Sequence, residues 1–169
     1  KIKSSSYIVL PGQGAFQSCM EGLNNIDGMV DILEQCVLKN KVPFLGICVG
    51  MQLLANESYE NGKHKGLGWI EGSIKKLYGP NLKLPHMGWN NVEVRKNFPK
   101  MIFSIENKDF YFVHSYYFDC LNQKNVIGST KYGLNFASIV GKENIYGVQF
   151  HPEKSSVQGL QLIKDFLSI

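Results

Sequence analysis

A single arginine, Arg95, stands among 18 basic residues, and every other one is lysine. The lysines come singly or in small groups (Lys63 and Lys65, Lys75 and Lys76, Lys96 and Lys100) and never build a block of about five or six like charges. With a net charge of +4, this reads as solvated surface. The interleaving of arginine with aromatics that marks nucleic-acid readers is missing, so no nucleic-acid partner is expected. No apolar run approaches the ~18 residues that cross a bilayer, and no signal-peptide pattern opens the chain. A soluble cytoplasmic protein without membrane contact is therefore expected. The four cysteines, Cys19, Cys36, Cys48 and Cys120, lie far apart, and no pair has metal-ligand spacing. Neither a metal site nor a disulfide scaffold is expected, which leaves each cysteine as a small core hydrophobe or a nucleophile.

What is present is an ordinary globular balance, 44% hydrophobic and 19% charged, without linker, repeat or low-complexity tract. It fits one domain over 1–169. Tyr7-Ile8-Val9-Leu10 reads as a buried strand closed by the loop Pro11-Gly12-Gln13-Gly14. From Asp27 to Asn40, the residues Met29, Val30, Leu33, Cys36 and Val37 fall at helical spacing, which puts Cys36 on the core face. Val42 to Ile47 is a second buried strand, with Pro43 at its start, and 49–55 is a good helix former. Strand, helix, strand, helix predicts a parallel sheet covered on both faces. In the second half, 67–78, 89–95, 109–119, 125–131, 136–140 and 145–150 read as strands, several in antiparallel hairpins. Ser155 or Ser156 is expected to cap a last helix with Val157, Leu160, Ile163 and Leu167 on its packed face. The fold class is α/β.

Gly46-Ile47-Cys48-Val49-Gly50 joins the second buried strand directly to a helix, the cysteine form of the nucleophile elbow. A sharp turn there exposes the side chain above the sheet at the cost of backbone strain, and flanking glycines keep other side chains clear. The helix starting at Val49 is expected to favour thiolate over thiol, and its free N–H groups can receive an oxyanion.

Val148-Gln149-Phe150-His151-Pro152-Glu153 supplies a base and its orienter. Strand periodicity would put residues two apart on one side, so Glu153 can hold the His151 imidazole for a cysteine nucleophile. His64, between two lysines, is expected in an exposed loop. His86 and His114 lie in strand-like segments and are either structural or site-lining.

The elbow followed by Met51-Gln52-Leu53-Leu54, together with Phe-His-Pro-Glu at 150–153, resembles the class I glutamine amidotransferases. Further stretches bring the resemblance to those members that feed ammonia to a barrel-shaped cyclase making imidazole glycerol phosphate. These are Leu-Pro-Gly-Gln-Gly-Ala-Phe at 10–16, Gly-Leu-Gly-Trp-Ile-Glu-Gly at 66–72, Pro-His-Met-Gly-Trp-Asn at 85–90, Phe-Val-His-Ser-Tyr at 112–116 and His-Pro-Glu-Lys-Ser at 151–155. The resemblance implies a three-layer fold with a mostly parallel central sheet plus antiparallel strands in the second half. It implies a Cys48, His151, Glu153 triad that releases ammonia from glutamine, with no cofactor and with a cyclase subunit as heterodimer partner. Gln52, His114, Ser115 and Tyr116 match the family's substrate contacts. Gly12 and Gln13 match the loop giving one oxyanion-hole N–H, with Val49 giving the other and Gly14 keeping the loop clear. Met87, Trp89, Asn90, Lys154 and Ser155 match positions near the partner and the ammonia exit. The alternatives within this frame are a related glutaminase serving a nucleotide-sugar enzyme of surface polysaccharide, and a non-catalytic regulatory subunit.

Two departures accompany the resemblance. The family ordinarily places a strand and a helix before the strand that leads to the Pro-Gly loop, and 1–6 hold no counterpart, so a sequence incomplete at its start is expected. Gln13 stands where an apolar residue is common.

Overall fold

The computed structural model describes residues 2–95 and 108–169; the lysines Lys96 and Lys100 fall outside that range. Its first half runs β1 (Ile8–Gly12), α1 (Phe16–Asn24), α2 (Met29–Glu34) with a π-helical turn (Gln35–Lys39), β2 (Phe44–Cys48) and α3 (Val49–Gln52). There follow β3 (Glu57–Ser58), β4 (His64–Lys65), β5 (Gly72–Lys76), β6 (His86–Val94), β7 (Lys108–His114), β8 (Tyr116–Cys120), β9 (Val126–Tyr132), β10 (Leu134–Lys142), β11 (Ile145–Val148) and α4 (Ser156–Phe166). The architecture is α/β, a mixed sheet carrying helices. Among the described residues, no helix is long and apolar enough to cross a membrane.

All five residues of β2 are buried, as a continuous apolar run demands when a strand is covered on both faces. It pairs in parallel with β1 on one side and β11 on the other. Beyond β11 the order continues β10, β8, β5, β3 and β4, with β6 bonded to β7 and β9. This topology decides where the chemistry can happen. The C-terminal end of β2, carrying Cys48, lies level with Gly12 at the end of β1. It lies beside Val148 at the end of β11, three residues before His151. Parallel strands deliver their C-terminal ends to one edge, where open α/β sheets bind ligands.

Several expected boundaries move. β1 runs on through Pro11 and Gly12, because both remain in register with Ile47 and Cys48. Only 72–76 of the segment 67–78 is strand. The stretch before it instead turns Leu67, Gly68 and Ile70 N–H groups onto the Leu53, Ala55 and Leu54 carbonyls, which stops the helix after Gln52. The segment 109–119 breaks at Ser115 into β7 and β8. Helix α1 was not anticipated, although Phe16, Met20 and Leu23 have helical spacing and the first two are buried. Cys36 is buried in the core as expected, whereas His64 sits half-buried in the short strand β4.

The packed face of α4 also differs from expectation. Gly159, Leu162 and Phe166 are buried, while Val157, Leu160 and Leu167 face solvent. A Cβ on Gly159 would lie 1.8 Å from the Pro152 carbonyl oxygen, so the helix rests its bare backbone on the 152–154 turn. That contact sets the rotation of the helix. Ser155 does not cap it by a side-chain bond. Its hydroxyl donates to the His151 carbonyl (2.6 Å) and accepts from Tyr111 N–H (2.9 Å).

Candidate active site

Cys48 has φ +55 and ψ −113, a backbone conformation that costs a non-glycine residue about 1–3 kcal/mol. The flanking glycines show how the strain is held. A Cβ on Gly50 would meet the Leu10 carbonyl oxygen at 1.9 Å, and one on Gly46 would meet the Gly50 carbonyl oxygen at 2.5 Å. The first turn of α3 therefore sits directly on the backbone of β1 and β2, an approach no larger residue permits. At Gly14, among the described residues, nothing lies within 4 Å of a would-be Cβ, and the φ of +93 favours a glycine.

A cavity of about 390 Å³ opens over the sulfur. Cys48, Val49, Gln52, His114, Ser115, Tyr116 and His151 all line it, along with Gln13 and Gly14 from the loop after β1. Gly12 does not; it is a strand residue packed on Val49 and Gly50. Glu60 lines the cavity too, and sequence reasoning missed it; its Oε2 accepts from Phe16 N–H at 2.7 Å and pins the start of α1.

Cys48 is 5% exposed, and burial pushes its thiol up to about 11. A hydrogen bond from Val49 N–H opposes that rise, but α3 has only four residues and burial outweighs it. The expected thiolate is thus a thiol at neutral pH in this arrangement. On the other wall, His151 Nδ1 donates to Glu153 Oε1 at 2.8 Å. The carboxylate can only accept, so the neutral ring carries its proton on Nδ1 and leaves Nε2 a lone pair. Nε2 is buried and finds no partner among the described residues. Glu153 reaches the ring through the 3₁₀ turn Pro152–Lys154 and not through strand periodicity, since β11 ends at Val148. The turn is anchored by Phe150, stacked on Phe110 at 4.1 Å, and by His151 N–H on the Tyr111 carbonyl.

One carbonyl organises the polar groups behind the cavity. Tyr116 O accepts from His114 Nδ1 at 2.8 Å and from Gln52 Nε2 at 3.1 Å. His114 is held neutral, its imidazole pushed down to about 3 chiefly by burial. Its Nε2 is therefore an acceptor, 2.9 Å from His86 Nδ1. His86 is also neutral, pushed down to about 4 by burial, and its Nε2 faces Asn90 Nδ2 at 3.1 Å. Gln52 spends its amide hydrogens on Tyr116 O and on Gln149 Oε1 (3.0 Å), so its own Oε1 is left to accept. Gln149 Nε2 in turn lies 3.8 Å from Cys48 Sγ.

Of the residues matched to a partner face, Met87 and Trp89 are well exposed, at 62% and 53%, and Lys154 is exposed. Ser155 is fully buried, and Asn90 is engaged by His86 and the Lys131 carbonyl. Ser155 is thus an internal support, whereas the Asn90 side chain is half-buried and ties β6 to β9 at the surface.

The profile of the family described as glutamine amidotransferase class-I matches residues 1–169. The chain is similar, at 47% identity over 172 positions, to a Pelagibacter ubique protein named imidazole glycerol phosphate synthase subunit HisH; the match covers 100% of this chain and 82% of that relative. A Rhodospirillum rubrum protein of the same name is 48% identical, over 95% of this chain and 76% of its own length. Solved structures at lower identity share the fold. One described as a glutamine amidotransferase superposes with a TM-score of 0.71 at 19% identity, covering 96% of this chain and 78% of that one. The glutaminase domain of Trypanosoma brucei CTPS gives 0.62 at 20% identity, covering 99% and 70%.

Proposed function

This chain belongs to the class I glutamine amidotransferase family, and on that footing we propose that it is a glutaminase subunit that hydrolyses glutamine to glutamate and ammonia through Cys48, His151 and Glu153. The ammonia passes to a cyclase subunit that makes imidazole glycerol phosphate in histidine biosynthesis. The observation that carries the reading is the convergence on one cavity of a strained, buried thiol and an imidazole nitrogen whose lone pair has no partner among the described residues. The names of the relatives support the cyclase as the recipient.

Because the resting sulfur is protonated, attack and proton transfer go together. Glutamine enters with its side-chain amide over Cys48. His151 Nε2 takes the thiol proton as sulfur bonds to the amide carbon, and the ring becomes an imidazolium stabilised by Glu153. The negative charge on the carbonyl oxygen is received by N–H groups at Val49 and the 13–14 loop. His151 then gives its proton to the departing nitrogen, which leaves as ammonia. In the second half, His151 takes a proton from water as the oxygen attacks the thioester, and returns it to the sulfur. Glu60, the carboxylate on the cavity wall, suits the α-ammonium of the substrate. Gln52 Oε1 offers an acceptor beside it. Met87, Trp89 and Lys154 form the face toward the cyclase.

The test is glutamate release by the purified protein, alone and with the cyclase. Cys48→Ala is expected to abolish it. Glutamate released at the wild-type rate by that variant, or no glutamine-dependent ammonia from the wild type with its partner, rejects the reading.

A further inference from the structure

Gln149 is completely buried between Val148 and Phe150, themselves fully buried, on the stretch that leads from β11 to His151. A carboxamide in such surroundings is costly unless its hydrogen bonds are made, and a methionine would fill the space without that cost. Its direction follows from one forced end. The Tyr116 carbonyl can only accept, so Gln52 must turn its NH₂ toward it (3.1 Å). The same NH₂ reaches Gln149, which must therefore present Oε1 (3.0 Å). The NH₂ of Gln149 is left pointing at Cys48 Sγ, 3.8 Å away. Gln149 does not line the cavity, so it approaches the sulfur from the protein side. The opposite side stays free for glutamine and for His151.

We propose that Gln149 is a catalytic residue of this site, donating a carboxamide N–H to the Cys48 sulfur whenever that sulfur carries negative charge. The inference rests on Cys48 being the nucleophile. Negative charge builds on the sulfur twice in the cycle: as its proton moves to His151 while the C–S bond forms, and again as the thioester C–S bond breaks during hydrolysis. Sulfur in the thioester is neutral and a poor acceptor, so the contact favours the charged stages over the resting one. Gln52 and Tyr116 act on it as positioning groups: they prevent the amide from flipping and presenting oxygen to the thiolate.

The experiment is the rate of Cys48 alkylation by iodoacetamide, a small primary amide that fits the cavity, followed by peptide mass spectrometry. Glutaminase kcat and KM are measured in parallel. Removing a hydrogen bond to a charged group is expected to raise the thiol by about one pH unit or more, a tenfold smaller thiolate fraction. The more basic thiolate is about threefold more reactive, so Gln149→Met should be alkylated about threefold more slowly between about pH 7.5 and 9.5. Its kcat should fall about tenfold, with KM little changed. Alkylation at the wild-type rate with only a raised KM makes Gln149 a mere support for Gln52 and overturns the proposal. Should Gln149→Met fail to fold, the side-chain amide NMR signals of Gln149 in the wild type decide. They are expected to follow the Cys48 titration and to stop doing so in Cys48→Ala; signals that ignore the titration overturn it equally. Failure of the wild type to release glutamate rejects the proposed function and leaves the alkylation readout of this contact intact.

Discussion

His86 and His114 face each other across β6 and β7, with Nδ1 of the first donating to Nε2 of the second over 2.9 Å. Both rings are neutral, and the Tyr116 carbonyl dictates which nitrogen of each holds the proton. His86 is further sandwiched by Tyr132 (4.0 Å) and Phe112 (4.8 Å).

This pair makes stability sensitive to acid. Unfolded imidazoles take up protons below about 6.5, while the folded ones resist until about 4 and about 3. Between those limits the unfolded state binds more protons, so stability is full above about pH 7 and is lost as pH falls. The slope is up to about 1.4 kcal/mol per pH unit for each ring. His86→Phe keeps the stacking but strands His114 Nε2 and an Asn90 hydrogen. It should cost about 1–3 kcal/mol at neutral pH and roughly halve the acid slope. Urea unfolding from about pH 4.5 to 8 measures both, and a pH-independent wild type contradicts the assignment.

A glycine at the elbow and one in the loop after β1 should differ in what replacement costs. Gly50→Ala places a methyl 1.9 Å from the Leu10 oxygen, where only backbone could yield. A loss of about 3 kcal/mol or more, or no folded protein, is expected. Gly14→Ala meets nothing within 4 Å among the described residues and bears only the strain of φ +93, about 1–2 kcal/mol. It should fold and lose glutaminase rate through a displaced 13–14 loop. Thermal melts set beside glutamate release separate the two.

Glu153 holds His151 through a carboxylate that is 47% exposed. Glu153→Gln keeps an acceptor for Nδ1 but removes the charge that steadies the imidazolium. Solvent screens part of that charge, so kcat should fall about 10²-fold or less, with KM nearly constant. Unchanged kcat in a steady-state assay removes Glu153 from the proton-transfer machinery.

Trp89 and Met87 are large apolar side chains of β6 open to solvent. If the cyclase docks there, Trp89→Ala should weaken its binding by about 1–2 kcal/mol, tenfold or more, and Met87→Ala by less. Calorimetric titration with the cyclase gives the answer; wild-type affinity in both variants moves the interface elsewhere.

The strand-to-cysteine-to-helix junction, the histidine with its nearby carboxylate, and the parallel start of the sheet were all legible locally. Each depends on residues adjacent in the chain: glycines where backbones touch, apolar runs where a strand is covered twice. The faces that touch across the fold were not. Val157, Leu160 and Leu167 have the spacing of a packed stripe, yet α4 turns them outward because Gly159 must lie against Pro152. Glu60 and Gln149 gave no periodic signal: Glu60 is one of several polar residues in 56–63, and Gln149 is a lone polar residue between Val148 and Phe150.

By itself, then, the sequence determined which side chains were available for nucleophilic chemistry and which strand ends carried them, because element type follows from neighbours a few residues apart. Only the tertiary structure decided the state of those groups. Burial raises the Cys48 thiol, and the Tyr116 carbonyl, 68 residues further along the chain, fixes how Gln52, Gln149, His114 and His86 share their protons. Desolvation and hydrogen-bond direction depend on groups distant in sequence, and no local pattern records them.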